Sequence, residues 1–468
     1  MFDDLLRQGD ARQSAYAAAC LDPAGSSHRA ADIVEELAGE LSAEWTEERA
    51  NSLIGDLKQG KKRLASCTLL ALALVSVRQG LWQVARDLLA FLPPQDGRWL
   101  FVERLAEAAE HERQDLGDPA DEWLKDRFCP MPFDQIDTAA DQSVHFCPAA
   151  WQPVPIGDLS EDPGSIWNGP AAQEIRRSIL DGDFSHCSRR HCPHIRDRRL
   201  RSRDFYLAAD PASPAMERYG RIIAGKEIRL DTKPFRANLS HDRSCNQSCP
   251  SCRPGRITLR KYDRDRLDRL VNDNYADFLS SAARVTLARD GEPFASRHYL
   301  NFLQAYCART ERTRTLQIQT SGLLLTEALW NRLDLWGHVS SVRVSVDAAT
   351  PDTYARVRLG GRFDRLLPNL HFLGHLRRLQ MIDVFRMDFL VQRDNYAEMP
   401  DFVRLARQVG ADSVLFLRLR NWGTFTEEEF LNRDIANPEH PDHDRLRTVL
   451  EDPVLSSPEV DKTALEVM

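Results

Sequence analysis

The 468-residue chain lacks any long hydrophobic run. Its most apolar window, Leu69 to Val77, falls far short of the ~20 residues that span a bilayer. It also lacks a strong charge bias. A net charge of -8, with 28% charged residues, gives no global pull toward nucleic acid or an anionic membrane. Two basic runs, Arg189-Arg190 and Arg196 to Arg203, read as solvated faces. The start, Met1 to Asp10, holds acids and no apolar stretch, which argues against a secretory signal. The expected location is the reducing cytoplasm. An apolar content of 42% suits ordinary globular domains, and the length allows two or three of them.

What is there, and concentrated, is cysteine. Of ten, seven fall between Cys129 and Cys252: Cys129, Cys147, Cys187, Cys192, Cys245, Cys249 and Cys252. Cys20, Cys67 and Cys307 stand alone in apolar, helix-like surroundings and read as small buried hydrophobes. Clustered cysteines in a reducing compartment point to metal or redox chemistry, not to a disulfide framework.

Residues 1–120 read as helical. Arg63 to Gln79 is rich in Ala and Leu, Gly80 breaks it, and Leu81 to Leu92 resumes helical spacing until Pro93-Pro94. Gly80-Leu81-Trp82, Ala85, Leu88-Leu89 and Pro93 resemble one tetratricopeptide-type helix pair, with a plain bundle as the alternative. Residues 121–227 turn rich in Cys, Pro, Arg and Asp, a composition that builds no large core unaided and suits a metal staple. From 228 to 428, six strand-like runs alternate with helical patterns: Phe235–Ser240, Val285–Arg289, Thr315–Thr320, Ser341–Asp347, Val384–Gln392 and Ser413–Leu419. The alternation predicts β/α units around a parallel sheet or barrel. Six are too few for a closed eight-stranded barrel. Residues 429–468 read as an irregular extension.

Directly after the first predicted strand lies Cys245-x3-Cys249-x2-Cys252. Three thiolates on one short loop can hold three irons of a [4Fe–4S] cube and leave the fourth open to a ligand. Zinc is the alternative, with His241 as fourth ligand, but its spacings usually come as two separated pairs.

On this triplet the chain resembles the radical S-adenosylmethionine (SAM) superfamily, over about Ile228 to Leu419. The resemblance implies a partial six-stranded (β/α)6 barrel within an α/β fold. It also implies an open iron that chelates SAM and a 5′-deoxyadenosyl radical that abstracts hydrogen from substrate. Asp290-Gly291-Glu292-Pro293 is similar to the family's Gly-Gly-Glu-Pro element, which contacts the SAM amino group; Asp290 replaces its first glycine. Ser345 and Asp347 on the fourth strand stand where the family binds the ribose. Thr320-Ser321-Gly322 resembles its threonine–asparagine–glycine turn, and Arg358 and Gln392 are further candidates for lining the site. Ser251 departs from the aromatic usual before the third cysteine, which leaves Asn421-Trp422-Gly423 as a source of adenine contacts.

The other four cysteines sit in a second pattern: Cys129-Pro-Met-Pro-Phe133, Cys147, Trp167-Asn168 before a helix, and Phe184-x2-Cys187-x4-Cys192-Pro193. This resembles the auxiliary-cluster module called SPASM, or its shortened twitch form, placed here before the barrel instead of after it. It implies a second [4Fe–4S] cluster on Cys129, Cys147, Cys187 and Cys192. A four-cysteine zinc knuckle is the alternative, with His145, His186, His191 and His194 nearby.

The expected function is therefore a radical SAM enzyme, of oxidoreductase or peptide-modifying class, acting on a peptide or protein. A radical SAM dehydrogenase or epimerase on a small metabolite is the alternative. A non-catalytic zinc-binding interaction protein is a third reading. Expected partners are SAM, the substrate and an electron donor such as flavodoxin or ferredoxin, with neither nucleic acid nor membrane.

Overall fold

The computed structural model describes residues 45–59, most of 64–78, isolated positions elsewhere before 120, and 120–468 apart from short gaps at 190, 209–212, 254, 288–289, 422–423, 464 and 466–468. The proposed tetratricopeptide-like pair around Gly80 to Pro93 lies largely outside these residues, as do Trp422 and Gly423. The described chain is a mixed α/β protein that divides into two compact units.

The first unit comprises Met1–Phe133, Ser143–Asp158 and Ile166–Asp231. Helices Glu47–Lys58 and Ser66–Arg78 lie in it, and Trp45 Nε1 donates to Ser76 Oγ at 2.7 Å. Short strands Arg127–Phe128 and Arg201–Ser202 pair antiparallel. Ser143–His145 and Gly157–Asp158 form a second antiparallel pair. The longest helix after residue 120 in this unit, shared in length by Pro214–Gly225, is Pro170–Asp181. Pro170 supplies the pre-set φ of a first turn, and Gly182, at φ 86°, ends the helix in the left-handed region.

The second unit, Asp134–Gln142, Leu159–Ser165 and Thr232–Met468, is built on parallel strands. In chain order these are β1 (Gln135–Thr138), β2 (Arg236–Leu239), β3 (Arg284–Leu287), β4 (Leu316–Thr320), β5 (Val339–Ser345), β6 (Val384–Val391), β7 (Ser413–Arg418) and β8 (Val460–Asp461). Each pairs with its predecessor in parallel, so the spatial order is the chain order. Such an order requires a crossover between every pair. Helices supply most of them, among them Arg297–Arg309, Phe363–Arg378 and Met399–Val409. The six strands expected from sequence form β2 to β7, each within two residues of its expected ends. Two more, β1 and β8, extend the run at either end.

The core follows from the strand sequences. Val342, Val344, Phe385, Met387, Phe389 and Phe416 are fully buried, each contributing roughly 1.5–3 kcal/mol. Met399–Val409 presents Met399, Phe402, Val403, Ala406 and Val409 as one buried stripe at helical spacing. Close packing is absolute at Gly374, where an added Cβ would stand 1.7 Å from the Val409 carbonyl oxygen. The helical segment between β2 and β3 is interrupted: Lys261–Arg269 runs into a π-helical turn, Leu270–Tyr275.

Candidate active site

In a parallel sheet, side chains at the carboxyl ends of strands and in the loops beyond them converge, and ligands bind there. The cysteine triplet occupies the loop that follows the carboxyl end of β2. The loop is pinned by its own backbone. Cys245 N donates to Ile257 O at 2.8 Å, Cys252 N to Cys249 O at 2.9 Å, and Ser248 N to Leu359 O at 3.0 Å. Asp242 holds the entry: its Oδ1 accepts from Ser244 N at 2.7 Å and its Oδ2 from Ser296 Oγ. The Tyr299 hydroxyl accepts from Asp242 N at 3.1 Å and donates to Leu239 O at 2.8 Å.

All three cysteines are free thiols. Cys249 is buried, Cys245 half-buried and Cys252 exposed. Burial pushes the Cys245 and Cys249 thiols up in pKa, against the pull of Arg253 on the first and Arg358 on the second. Two guanidinium groups address the sulfurs. Arg253 donates to Cys252 Sγ through Nε at 3.4 Å and Nη2 at 3.3 Å. Its nitrogens also hold the carbonyls of Arg243 and Asp290, each at 2.7 Å. Arg358 reaches Cys249 Sγ at 3.8 Å and pairs with Asp347 Oδ2 at 2.7 Å. Burial opposes the charge of Arg358, but Asp347 and Cys249 outweigh it and raise its pKa.

His241, the candidate fourth zinc ligand, is turned away. Its Nδ1 meets Thr138 Oγ1 at 2.8 Å and its Nε2 meets His298 Nε2 at 2.8 Å. His298 Nδ1 in turn lies 2.6 Å from Asp268 Oδ1. Both nitrogens of His241 are therefore committed, and burial holds its pKa well below the usual histidine value.

The structure brings the other sequence candidates to the same edge, where Glu292 and Asp347 are buried. Gly291 passes so close that an added Cβ would lie 2.6 Å from Asp242 O and 3.1 Å from Ser244 O. Glu292 N donates to Ser244 O at 2.8 Å. The Glu292 carboxyl is 1% exposed and accepts from Thr320 Oγ1 at 2.7 Å, Ser321 N at 2.6 Å and Phe294 N at 3.2 Å. Burial raises its pKa against those donors. Glu292 thus ties the end of β3 to the turn after β4. In that turn Gly322 adopts φ 77°, with Leu366 and Val344 too close for a Cβ. Asp290 is exposed and Pro293 buried.

Strand alternation predicts that Ser345 and Asp347 face the same way. The strand ends at Ser345, and Asp347 takes a left-handed φ of 63°. Both of its carboxylate oxygens are used, one by Arg358 and the other by Leu390 N at 2.8 Å. Gln392 is buried, and its N–H donates to Asn395 Oδ1 at 2.8 Å. Asn421 is described and bonds to Phe425. Sequence reasoning missed Asp242, Arg253, Tyr299, His298 and Asp268. A basic residue beside a thiolate at Arg253 was the one available signal.

In the first unit, Cys129, Cys147, Cys187 and Cys192 line one cavity, walled by Met131, Pro132, Phe184, Ile195 and Leu200. Cys129 is placed before the turn Met131–Asp134, and Cys192 caps Pro193–Arg196. Burial raises the Cys192 thiol. His194 also lines the cavity. His145 does not, because its nitrogens meet Ser143 Oγ and Gln152 O.

No family model matches the chain. No curated protein matches it significantly. Among solved structures, the chain is similar to Streptococcus suis SuiB bound to S-adenosylmethionine, at 16% identity and a TM-score of 0.35 over 54% of this chain and 56% of that one. It is similar to SuiB bound to the precursor peptide SuiA, at 14% identity and a TM-score of 0.36 over 54% of each chain. A third likeness is TYW1 with a lysine-pyruvate adduct, at 16% identity and a TM-score of 0.29 over 47% of this chain and 72% of that one. The chain spans just over half the length of SuiB. The functional reading therefore rests on the site itself.

Proposed function

We propose that the chain is a radical SAM enzyme with a catalytic [4Fe–4S] cluster on Cys245, Cys249 and Cys252, acting on a peptide or protein. The observation that carries this reading is a three-thiol loop without a fourth ligand: His241, which would close a zinc site, has both nitrogens engaged by Thr138 and His298. Among the described residues no group of three or more His, Cys, Asp or Glu side chains converges on a point for one metal ion. When bound, such a cluster supplies the electron that cleaves SAM to the 5′-deoxyadenosyl radical, which abstracts hydrogen from substrate.

The chain's own residues prepare that site. Arg253 and Arg358 favour the ionised forms of Cys245 and Cys249, which burial would keep protonated. Gly291 admits the backbone of β3's loop against the cluster loop. Glu292 accepts from Thr320 and Ser321, and Asp347 from Leu390 and Arg358, bonds that hold these candidate SAM-binding residues in place. Asp290, Gly291, Pro293, Ser345 and Gln392 complete the candidates for contact with SAM.

The four-cysteine cavity supports a second, auxiliary [4Fe–4S] cluster on Cys129, Cys147, Cys187 and Cys192. Such a centre suits a peptide- or protein-modifying reaction, because it can accept the electron left after hydrogen abstraction. The deciding experiment is anaerobic reconstitution with iron and sulfide, then iron counting and assay of 5′-deoxyadenosine from SAM and dithionite. About eight irons with deoxyadenosine are expected for two cubanes. Zinc at both sites without deoxyadenosine overturns the proposal.

A further inference from the structure

Arg176 lies on the buried stripe of helix Pro170–Asp181, between Ala172, Ile175 and Ile179, where the pattern calls for an apolar residue. It is 0% exposed. Its guanidinium carbon sits 4.4 Å from the Trp167 ring centroid and 5.0 Å from that of Phe146. Nε donates to Pro132 O at 2.9 Å, and Nη1 to Asn168 Oδ1 at 3.2 Å and Ile228 O at 3.0 Å. Every one of these partners is neutral. Nη2 is buried with no hydrogen-bond partner, and no carboxylate among the described residues pairs with the group. Burial and the neighbouring Arg218 together lower its pKa to about 9.

A buried charge with no counter-charge is strongly unfavourable, and such groups persist where something of opposite sign stands close by. Two of the contacts of Arg176 lead toward the four-cysteine cavity. Pro132 lines the four-cysteine cavity, and Phe146 directly precedes Cys147. Four thiolates around a [4Fe–4S] core leave about two negative charges there. We propose that Arg176 is the internal counter-charge of the cluster held by Cys129, Cys147, Cys187 and Cys192, and that it raises the reduction potential of that cluster. The inference rests on the auxiliary-cluster reading. Its physical basis is that one-electron reduction adds a negative charge, which a fixed cation in a low-dielectric surround stabilises. Stacking on Trp167 and Phe146 holds the cation in place without a carboxylate that would cancel it.

The test uses the full chain carrying Cys245→Ala, Cys249→Ala and Cys252→Ala, so that bound iron reports the first unit alone. After anaerobic reconstitution, iron is counted and the midpoint potential is titrated by electron paramagnetic resonance. Arg176→Gln, which keeps donors for the carbonyls but loses the charge, is expected to lower the reduced-to-oxidised ratio about tenfold at fixed poise, equivalent to 59 mV for a one-electron couple. Arg176→Lys, which keeps the charge, is expected to stay near the parent. An unchanged midpoint in Arg176→Gln overturns the counter-charge role and leaves the cluster reading standing. Absence of iron, or zinc in its place, in the parent overturns the cluster reading and the redox role with it. Should Arg176→Gln fail to fold, Arg176→Met against Arg176→Lys carries the same comparison, and equal midpoints overturn the inference.

Discussion

Arg358 joins Asp347 to Cys249: one guanidinium nitrogen is 2.7 Å from the carboxylate and another 3.8 Å from the thiol sulfur. The pair is nearly dry, with side chains 13% and 5% exposed. Truncating one member leaves the other buried and unpaired, at a cost of about 3–5 kcal/mol. Arg358→Leu should lose about that much by urea denaturation of the metal-free, reduced chain. Arg358→Leu combined with Asp347→Leu should recover more than half of it. Equal loss in the single and double variants would show that the pairing does not carry the stability.

The two cysteine groups should separate in their effects. Cys249→Ala is expected to abolish 5′-deoxyadenosine formation. Cys187→Ala should retain uncoupled SAM cleavage while product formation stops. Full product turnover by Cys187→Ala protein would remove the auxiliary centre from the reaction.

Glu292 gives a pH signature. Its folded-state pKa is raised by burial, so between the ordinary carboxylate range and that raised value the folded chain binds more protons than the unfolded one. Stability must then fall as pH rises through the window. Glu292→Gln should flatten that fall, read as urea midpoints across pH. It should also cost about 1–3 kcal/mol near neutrality, because its amide cannot accept from both Thr320 and Ser321.

His241 acts in the opposite direction. Its folded pKa lies well below the usual value, so the unfolded chain binds the extra proton first. Stability should drop as pH falls below about 6.5. The acid-side drop should be smaller in His241→Gln, measured as the Tm difference between neutral and mildly acidic buffer. An identical drop in both proteins would assign it to other groups.

Gly291→Ala should displace the cluster loop, because its Cβ would collide with Asp242 O and Ser244 O. A loss of about 1–3 kcal/mol is expected, together with lower iron content on reconstitution relative to Gly55→Ala, whose Cβ meets nothing.

Much of the second unit was legible because parallel strands buried on both faces are apolar runs bounded by turns. Val384–Val391 and Ser413–Arg418 announce themselves in that way. Gln135–Thr138 was not legible, since four residues carrying Gln, Asp and Thr give no hydrophobic signal. Pairing with Arg236–Leu239 makes them a strand. Helix Arg297–Arg309 turns its tyrosines and histidine inward, where they are buried and hydrogen-bonded. At the site, motif spacing located the thiols, Gly291 and Glu292. It did not reveal what buries Glu292 and Asp347, because their side-chain partners come from other strands. Strand period misled at Asp347, where the backbone has already left the strand.

The first parallel strand has a consequence for synthesis. Thr138 supports His241 from 103 positions earlier in the chain. On a ribosome adding about 5–20 residues per second, β1 must therefore wait roughly 5–20 s for β2 to emerge before it can pair. Before that interval ends, every segment of the four-cysteine cavity, from Cys129 to Leu200, has been made. The cavity's thiols are thus available to metal before the strand that buttresses the triplet loop has found its neighbour. On the proposed two-cluster reading, maturation of the centres would be successive, with the amino-proximal one first.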